Sequence, residues 1–240
     1  MRGGTASWCA VHVLGCRALE GGGVVTQGRK GKRRGRFIVL EGIDGAGTTT
    51  QLRYVHEWLE KRGELVHATR EPTDGPIGTM LRQILRGRLV SPGIDQKVQP
   101  FDPGAVALLF AADRLDHLHN EIVPHLEAGR HVVCDRYVIS SLAYQSLDTD
   151  LKFVRTINEK AIAPDLTVFL RVRPEVAMTR IETTRTQRDS FEQLPLQKRI
   201  AAAYDKIIES WRDGPVITVD GEEAVSTVTT KVRQACETLF

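Results

Sequence analysis

A chain of 240 residues with 41% hydrophobic side chains and a formal net charge of +3 can bury the core of one α/β domain. The small charge excess rules out a whole-domain basic face for nucleic acid, and no apolar run is long enough to span a membrane. Cys9, Cys16, Cys134 and Cys236 have neither zinc-ligand spacing nor a disulfide framework, so a reducing cytoplasm is the expected setting.

Residues 1–36 are glycine-rich and lack helical or strand periodicity, and are expected to form a disordered extension before a domain spanning 37–240. Trp8 to Leu14 followed by Gly15-Cys16 faintly resembles a lipoprotein cleavage site, but it is short and contains His12. The basic run Arg29 to Arg36 reads as a short solvated tail, with contact to nucleic acid or an acidic surface as the alternative.

Phe37 to Leu40 is a continuous apolar run, as expected of a strand buried on both faces. The loop Gly42-Ile43-Asp44-Gly45-Ala46-Gly47 follows, and from Thr49 the pattern turns helical, with Leu52, Val55 and Leu59 on one face and Gly63 placed to end the helix. Strand, glycine loop and helix make a phosphate-binding arrangement, in which backbone amides and a helix N-terminus converge on an anion. The alternative is a plain tight corner. The motif's lysine is replaced by Thr48, whereas Thr49 keeps a hydroxyl for a magnesium ion and Thr50 continues into the helix.

Leu65 to Ala68 reads as a short strand running into a loop, Thr69 to Pro76, fixed by two prolines and a glycine. A helical stripe at Met80, Leu81, Ile84 and Leu85 precedes an irregular stretch from Gly87 to Pro103. An apolar helix runs from Gly104 to about Leu118, and its pattern continues through Ile122, Val123 and Leu126 until Gly129 stops it. His131 to Cys134 is a second buried strand ending in Asp135-Arg136-Tyr137. Ligands gather beyond the carboxyl ends of parallel strands, so Asp135 is expected near the glycine loop with a role at magnesium, or else as a surface partner of Arg136.

Helices are expected over Ser140 to Ser146, Leu151 to Ala161, Pro174 to Ile181, Phe191 to Trp211 and Ala224 to Leu239, with strands at Leu166 to Val172 and Val216 to Val219. The polar segment Thr183 to Asp189 is a candidate mobile lid or a solvated connection. Strands alternating with helices imply one parallel sheet, doubly wound, with helices on both faces.

Five motifs occur in order: Glu41 to Gly47; Thr69-Arg70-Glu71-Pro72; Leu108 to Arg114; Asp135-Arg136-Tyr137 with Ser141, Ala143, Tyr144 and Gln145; and Pro164 to Thr167 with Arg173 to Val176. From Arg36 onward the chain resembles thymidylate kinases. The resemblance implies a P-loop kinase fold with a five-stranded parallel sheet and an arginine-containing lid. It also implies phosphorylation of deoxythymidine monophosphate from ATP with magnesium, usually by a homodimer.

It further implies that Asp44 receives the acceptor's 3′-hydroxyl, and that Phe110 stacks on thymine. Arg114 and Ser141 would bond the base edge with Gln145 nearby, and Tyr144 would exclude a ribose 2′-hydroxyl. Arg70 and Arg136 suit the arginines that two apposed polyanions require. Gly45 and Ala46 are not basic, so Arg185 and Arg188, with Arg180 near them, make this chain resemble members that supply arginine from the lid. A kinase for another nucleotide or deoxynucleoside, and a non-catalytic nucleotide-binding protein suggested by Thr48, are the competing readings.

Overall fold

Buried along its whole length, β1 (Phe37–Gly42) sits at the centre of a five-stranded parallel sheet ordered β2-β5-β1-β6-β7. The computed structural model describes residues 34–93, 97–184 and 193–240. The other strands are β2 (Val66–Arg70), β5 (His131–Asp135), β6 (Leu166–Arg171) and β7 (Val216–Asp220). Ile38 aligns with Val133 on one side and with Leu166 on the other. Strand alternation sends Ile38 and Leu40 into one apolar core and Phe37 and Val39 into another, which is why β1 has no polar face.

From β1 the chain moves to one side of the sheet for β2 and β5, then crosses to the other for β6 and β7. The order therefore reverses at β1, and the crevice beyond its carboxyl end is where a ligand belongs. Helix α1 (Thr48–Lys61) buries Val55 and Leu59 and ends before Gly63, which adopts the left-handed φ of 81° suited to glycine.

Helix α2 (Pro76–Leu85) starts at Pro76, so that proline opens a helix and does not belong to the preceding loop. In the stretch expected to be irregular, β3 (Ser91–Pro92) and β4 (Val98–Gln99) form a short antiparallel pair. Helix α3 (Pro103–His117) is capped by Asp102, which accepts from Ala105 N at 2.9 Å, and passes through a π-helical turn (Leu118–Ile122) into α4 (Val123–Glu127).

Next come α5 (Val138–Gln145) and α6 (Leu151–Ile157). The latter stops short of the expected Ala161, because the Asn158 side chain donates back to Val154 O and its carbonyl oxygen accepts from Arg114. Helices α7 (Pro174–Thr184), α8 (Leu194–Ser210) and α9 (Val225–Glu237) complete the layers. Arg173 grips Glu222 with Nε and Nη2 at 2.9 and 2.7 Å, tying the start of α7 to the turn after β7.

The last arginines of the basic run are anchored: Arg34 and Arg36 each reach Asp165 at 3.3 Å, and Phe37 N donates to the same carboxylate at 2.7 Å. The remainder of the glycine-rich extension lies outside the described residues.

Candidate active site

The phosphate loop is held by close approach. A Cβ at Gly45 would meet Ala177 O at 2.5 Å, and one at Gly42 would meet Leu170 O at 3.0 Å. Gly45 and Gly47 take positive φ values of 80° and 98°, and Ala46 N closes the turn on Ile43 O at 3.0 Å. Gly42 and Ile43 form its buried base. Thr48 opens α1 and is itself buried, its γ-methyl 3.4 Å from where a Gly42 Cβ would stand. It fills the floor of the loop, where a lysine would reach outward.

Above the loop lies a cavity of about 490 Å³ lined by Asp44 through Gln51, Asp135, Arg136 and Arg180, so Gly45, Ala46, Gly47, Thr49 and Thr50 all face it. Thr49 Oγ1 donates to Asp135 Oδ2 at 2.5 Å, while the buried Asp135 Oδ1 has no hydrogen-bond partner among the described residues. A hydroxyl beside an orphaned carboxylate oxygen, open to a phosphate cradle, fits a divalent cation that keeps most of its ligands from water and phosphates.

Arg136 is the non-glycine residue among those described with a left-handed backbone, at φ 71°. That conformation costs about 1–2 kcal/mol for a side chain with a Cβ. It turns the guanidinium back over the loop, where Nη2 donates to Asp44 Oδ1 at 2.7 Å and Nη1 to Gly42 O at 2.9 Å and Tyr144 Oη at 3.2 Å. Gln197 from α8 donates to the second Asp44 oxygen at 3.1 Å.

A second cavity, of about 380 Å³, is lined by Arg70, Phe110, Arg114, Ser141, Tyr144 and Gln145, and again by Asp44 and Arg136. The residues expected from sequence to hold the acceptor thus line one cavity, and the two cavities share Asp44 and Arg136. Phe110 is half-buried at the wall, and Gln145 Oε1 is buried without a hydrogen-bond partner among the described residues. Arg70 is exposed and grips Asp74 at 2.9 and 3.1 Å. Arg114 is almost sealed: Nε and Nη2 donate to Glu71 Oε2 at 2.9 and 2.6 Å, Nη2 also to Ser141 Oγ at 3.0 Å and Tyr137 O at 3.1 Å, and Nη1 to Asn158. Arg185 and Arg188 lie outside the described residues.

Several supporting residues escape sequence reasoning. Glu41 is fully buried under the loop, with Oε1 accepting from Tyr137 N at 2.9 Å and Ser140 N at 3.1 Å, and Oε2 from Ser140 Oγ at 2.5 Å and Tyr204 Oη at 3.0 Å. Burial pushes its carboxyl above the usual range despite these donors. The signal was a carboxylate at the end of an all-apolar strand. Glu71 lies in the Thr69-Arg70-Glu71-Pro72 motif with nothing to show its burial, and His117, Asn158 and Gln197 carry no local sign at all.

The chain matches the family model described as thymidylate kinase over residues 40–232. It is 39% identical over 208 residues to a probable thymidylate kinase of Thermococcus kodakarensis, covering 85% of this chain and 98% of that protein. It is also 38% identical over 185 residues to a probable thymidylate kinase of Pyrococcus horikoshii, covering 77% and 88%. A thymidylate kinase of Halalkalibacterium halodurans is 36% identical over 203 residues, covering 81% and 92%. With the glycine loop, the strand-end Asp-Arg turn and the paired cavities in one crevice, these matches show that the chain belongs to the thymidylate kinase family.

Proposed function

We propose that this protein transfers the γ-phosphoryl group of ATP to deoxythymidine monophosphate, giving the diphosphate and ADP. The observation that carries the reading is the pair of cavities sharing Asp44 and Arg136, because phosphoryl transfer needs two polyanions brought end to end. An oxygen of the acceptor phosphate attacks the γ-phosphorus as the bond to the ADP oxygen breaks. A phosphate monoester with a second pKa of about 6 is already ionised near neutral pH, so no general base is required. What remains is positioning and charge.

Arg136, aimed between the cavities, offsets repulsion where the phosphates meet, and Arg70 lies at the acceptor mouth. Phe110, Arg114, Ser141 and Gln145 form the base end, Tyr144 crowds the sugar, and Asp44 faces the sugar hydroxyl. Asp135 and Thr49 are the residues that would hold magnesium, which when bound screens the donor phosphates. Arg185 and Arg188 take over the charge that a loop lysine would have met. Leu108 and Leu115, spaced for one face of α3 and 50% and 41% exposed, support a homodimer through that face. Buried free thiols at Cys134 and Cys236 suit a reducing cytoplasm.

The test is coupled ADP release from purified protein across nucleoside and deoxynucleoside monophosphates. Thymidylate is expected to be the preferred acceptor. Binding of ATP and thymidylate with no ADP release would establish a non-catalytic binder, and preference for another acceptor would establish a different kinase.

A further inference from the structure

Behind the acceptor cavity lies a buried group of side chains that touches no reacting atom. Glu71 and Thr69 project from the same side of the chain leaving β2, and Arg114 and His117 from the same side of the last turns of α3. The side chains of Arg114, Glu71 and His117 are 2%, 3% and 0% exposed. Glu71 holds the arginine in an unusual way. An arginine and a carboxylate prefer a fork in which two oxygens accept two N–H groups, yet here Oε2 alone accepts from both Nε and Nη2, at 2.9 and 2.6 Å.

The other oxygen is drawn away. Oε1 lies 3.2 Å from His117 Nδ1, and a carboxylate there requires the ring nitrogen to donate. His117 Nε2 in turn lies 2.8 Å from Thr69 Oγ1, and Glu121 Oε2 stands 3.6 Å away. Glu71 N is also fixed, donating to Asp135 O at 3.0 Å. With Oε1 held by the histidine, the carboxylate plane cannot rotate into the two-oxygen fork. The guanidinium is therefore kept in the orientation that reaches Ser141 Oγ, Tyr137 O and Asn158 together. Of its five N–H groups, these contacts among the described residues leave one Nη1 donor for a ligand.

We propose that His117, backed by Thr69, is a positioning residue for base recognition: it holds Glu71 turned, and Glu71 so held fixes the donor that Arg114 presents. This rests on reading the cavity as the acceptor's base pocket. A base with a carbonyl at that edge accepts from the fixed donor. A base with an amino group there meets donor against donor, so the fixed orientation also sets discrimination between thymine and cytosine.

Steady-state kinetics with thymidylate, deoxycytidylate and ATP tests this in the full-length protein. His117→Ala is expected to raise KM for thymidylate about tenfold, leaving kcat within about twofold and KM for ATP unchanged, and to narrow the preference over deoxycytidylate. His117→Asn, whose amide can donate to Glu71, should restore most of the loss. Thr69→Val should shift KM in the same direction by about threefold. If Arg114→Ala loses thymidylate preference while His117→Ala and Thr69→Val keep wild-type KM and preference, the positioning role is overturned and the base pocket stands. Wild-type behaviour of Arg114→Ala would overturn the base-pocket reading itself. Should His117→Ala not fold, an unchanged thymidylate KM in Thr69→Val overturns the proposal.

Discussion

The two cavities that meet at Asp44 and Arg136 are built from different materials. The proposed acceptor side is made of side chains from distant parts of the chain, locked by buried ion pairs such as Glu71–Arg114 and lined by Phe110, Tyr144 and Gln145. The proposed donor side is made of backbone, a glycine loop and the start of α1, with Thr48 turned into its floor. A site of fixed side chains distinguishes one molecule from another, because each misplaced polar group is left without a partner. A cradle of amides grips any phosphate and must find its transition-state charge elsewhere.

The harshest break of this contrast is the residue both halves share. Arg136→Ala should lower kcat by about a thousandfold while leaving thymidylate and ATP binding within about tenfold, measured by single turnover and by equilibrium titration. Arg136→Gly should be just as inactive, yet melt at a higher temperature than Arg136→Ala, since glycine relieves the left-handed backbone. Equal melting of the two variants would mean the turn carries no strain.

The donor half is next. The Arg185→Ala, Arg188→Ala double variant should lose about a hundredfold in turnover, near 3 kcal/mol, with little change in ATP affinity. Full turnover would show that the charge absent at Thr48 is met by other groups.

On the acceptor half, Tyr144→Ala should narrow the preference for deoxy over ribo forms of one acceptor by about tenfold, read as a ratio of kcat/KM values. Equal use of both sugars by the wild type would remove Tyr144 from that role.

These halves were not equally legible in the sequence. The strand, loop and helix from Phe37 to Lys61 are encoded locally, in an apolar run, three glycines and a 3.6-residue stripe, and they fold as read. The residues proposed to hold the acceptor were reachable through family motifs; of their supports Glu41 and Glu71 fell inside those motifs, but the bonds they make did not show there. Glu71 and His117 are polar residues whose burial depends on β2 and α3 meeting, which no local pattern announces. Arg136 looks like an ordinary strand-end arginine until its backbone is seen. Asn158 ends α6 through a contact with α3, so periodicity alone carried that helix too far. Pro76 could close a loop or open a helix, and only its neighbours decide.

The smallest expected effect lies away from both cavities, in the clamp between Arg173 and Glu222. The Arg173 guanidinium holds the Glu222 carboxyl down at about 2, below its ordinary 4.5. A depressed carboxylate stabilises the fold above its unfolded pKa, and that contribution fades as pH falls from about 4.5 toward about 2. Glu222→Gln should therefore melt slightly below wild type at neutral pH and converge with it near the acid end of that window. Arg173 is exposed and Glu222 only partly buried, so the shift should be a degree or so and should shrink further in salt.

The anchoring of Arg34 and Arg36 on Asp165 has a practical bearing on how this protein is handled. Parallel strands start at one end of the sheet and deliver their ligands at the other, so a chain entering through Arg34 joins the fold roughly 20 Å from the glycine loop, the length of β1. A dye, affinity handle or solid support coupled at position 34 itself would sit at the rear of the crevice. Nucleotides could then enter and leave a tethered enzyme unhindered, whereas a linker attached at Arg70, which is exposed and lines the proposed acceptor cavity, would hang across its mouth.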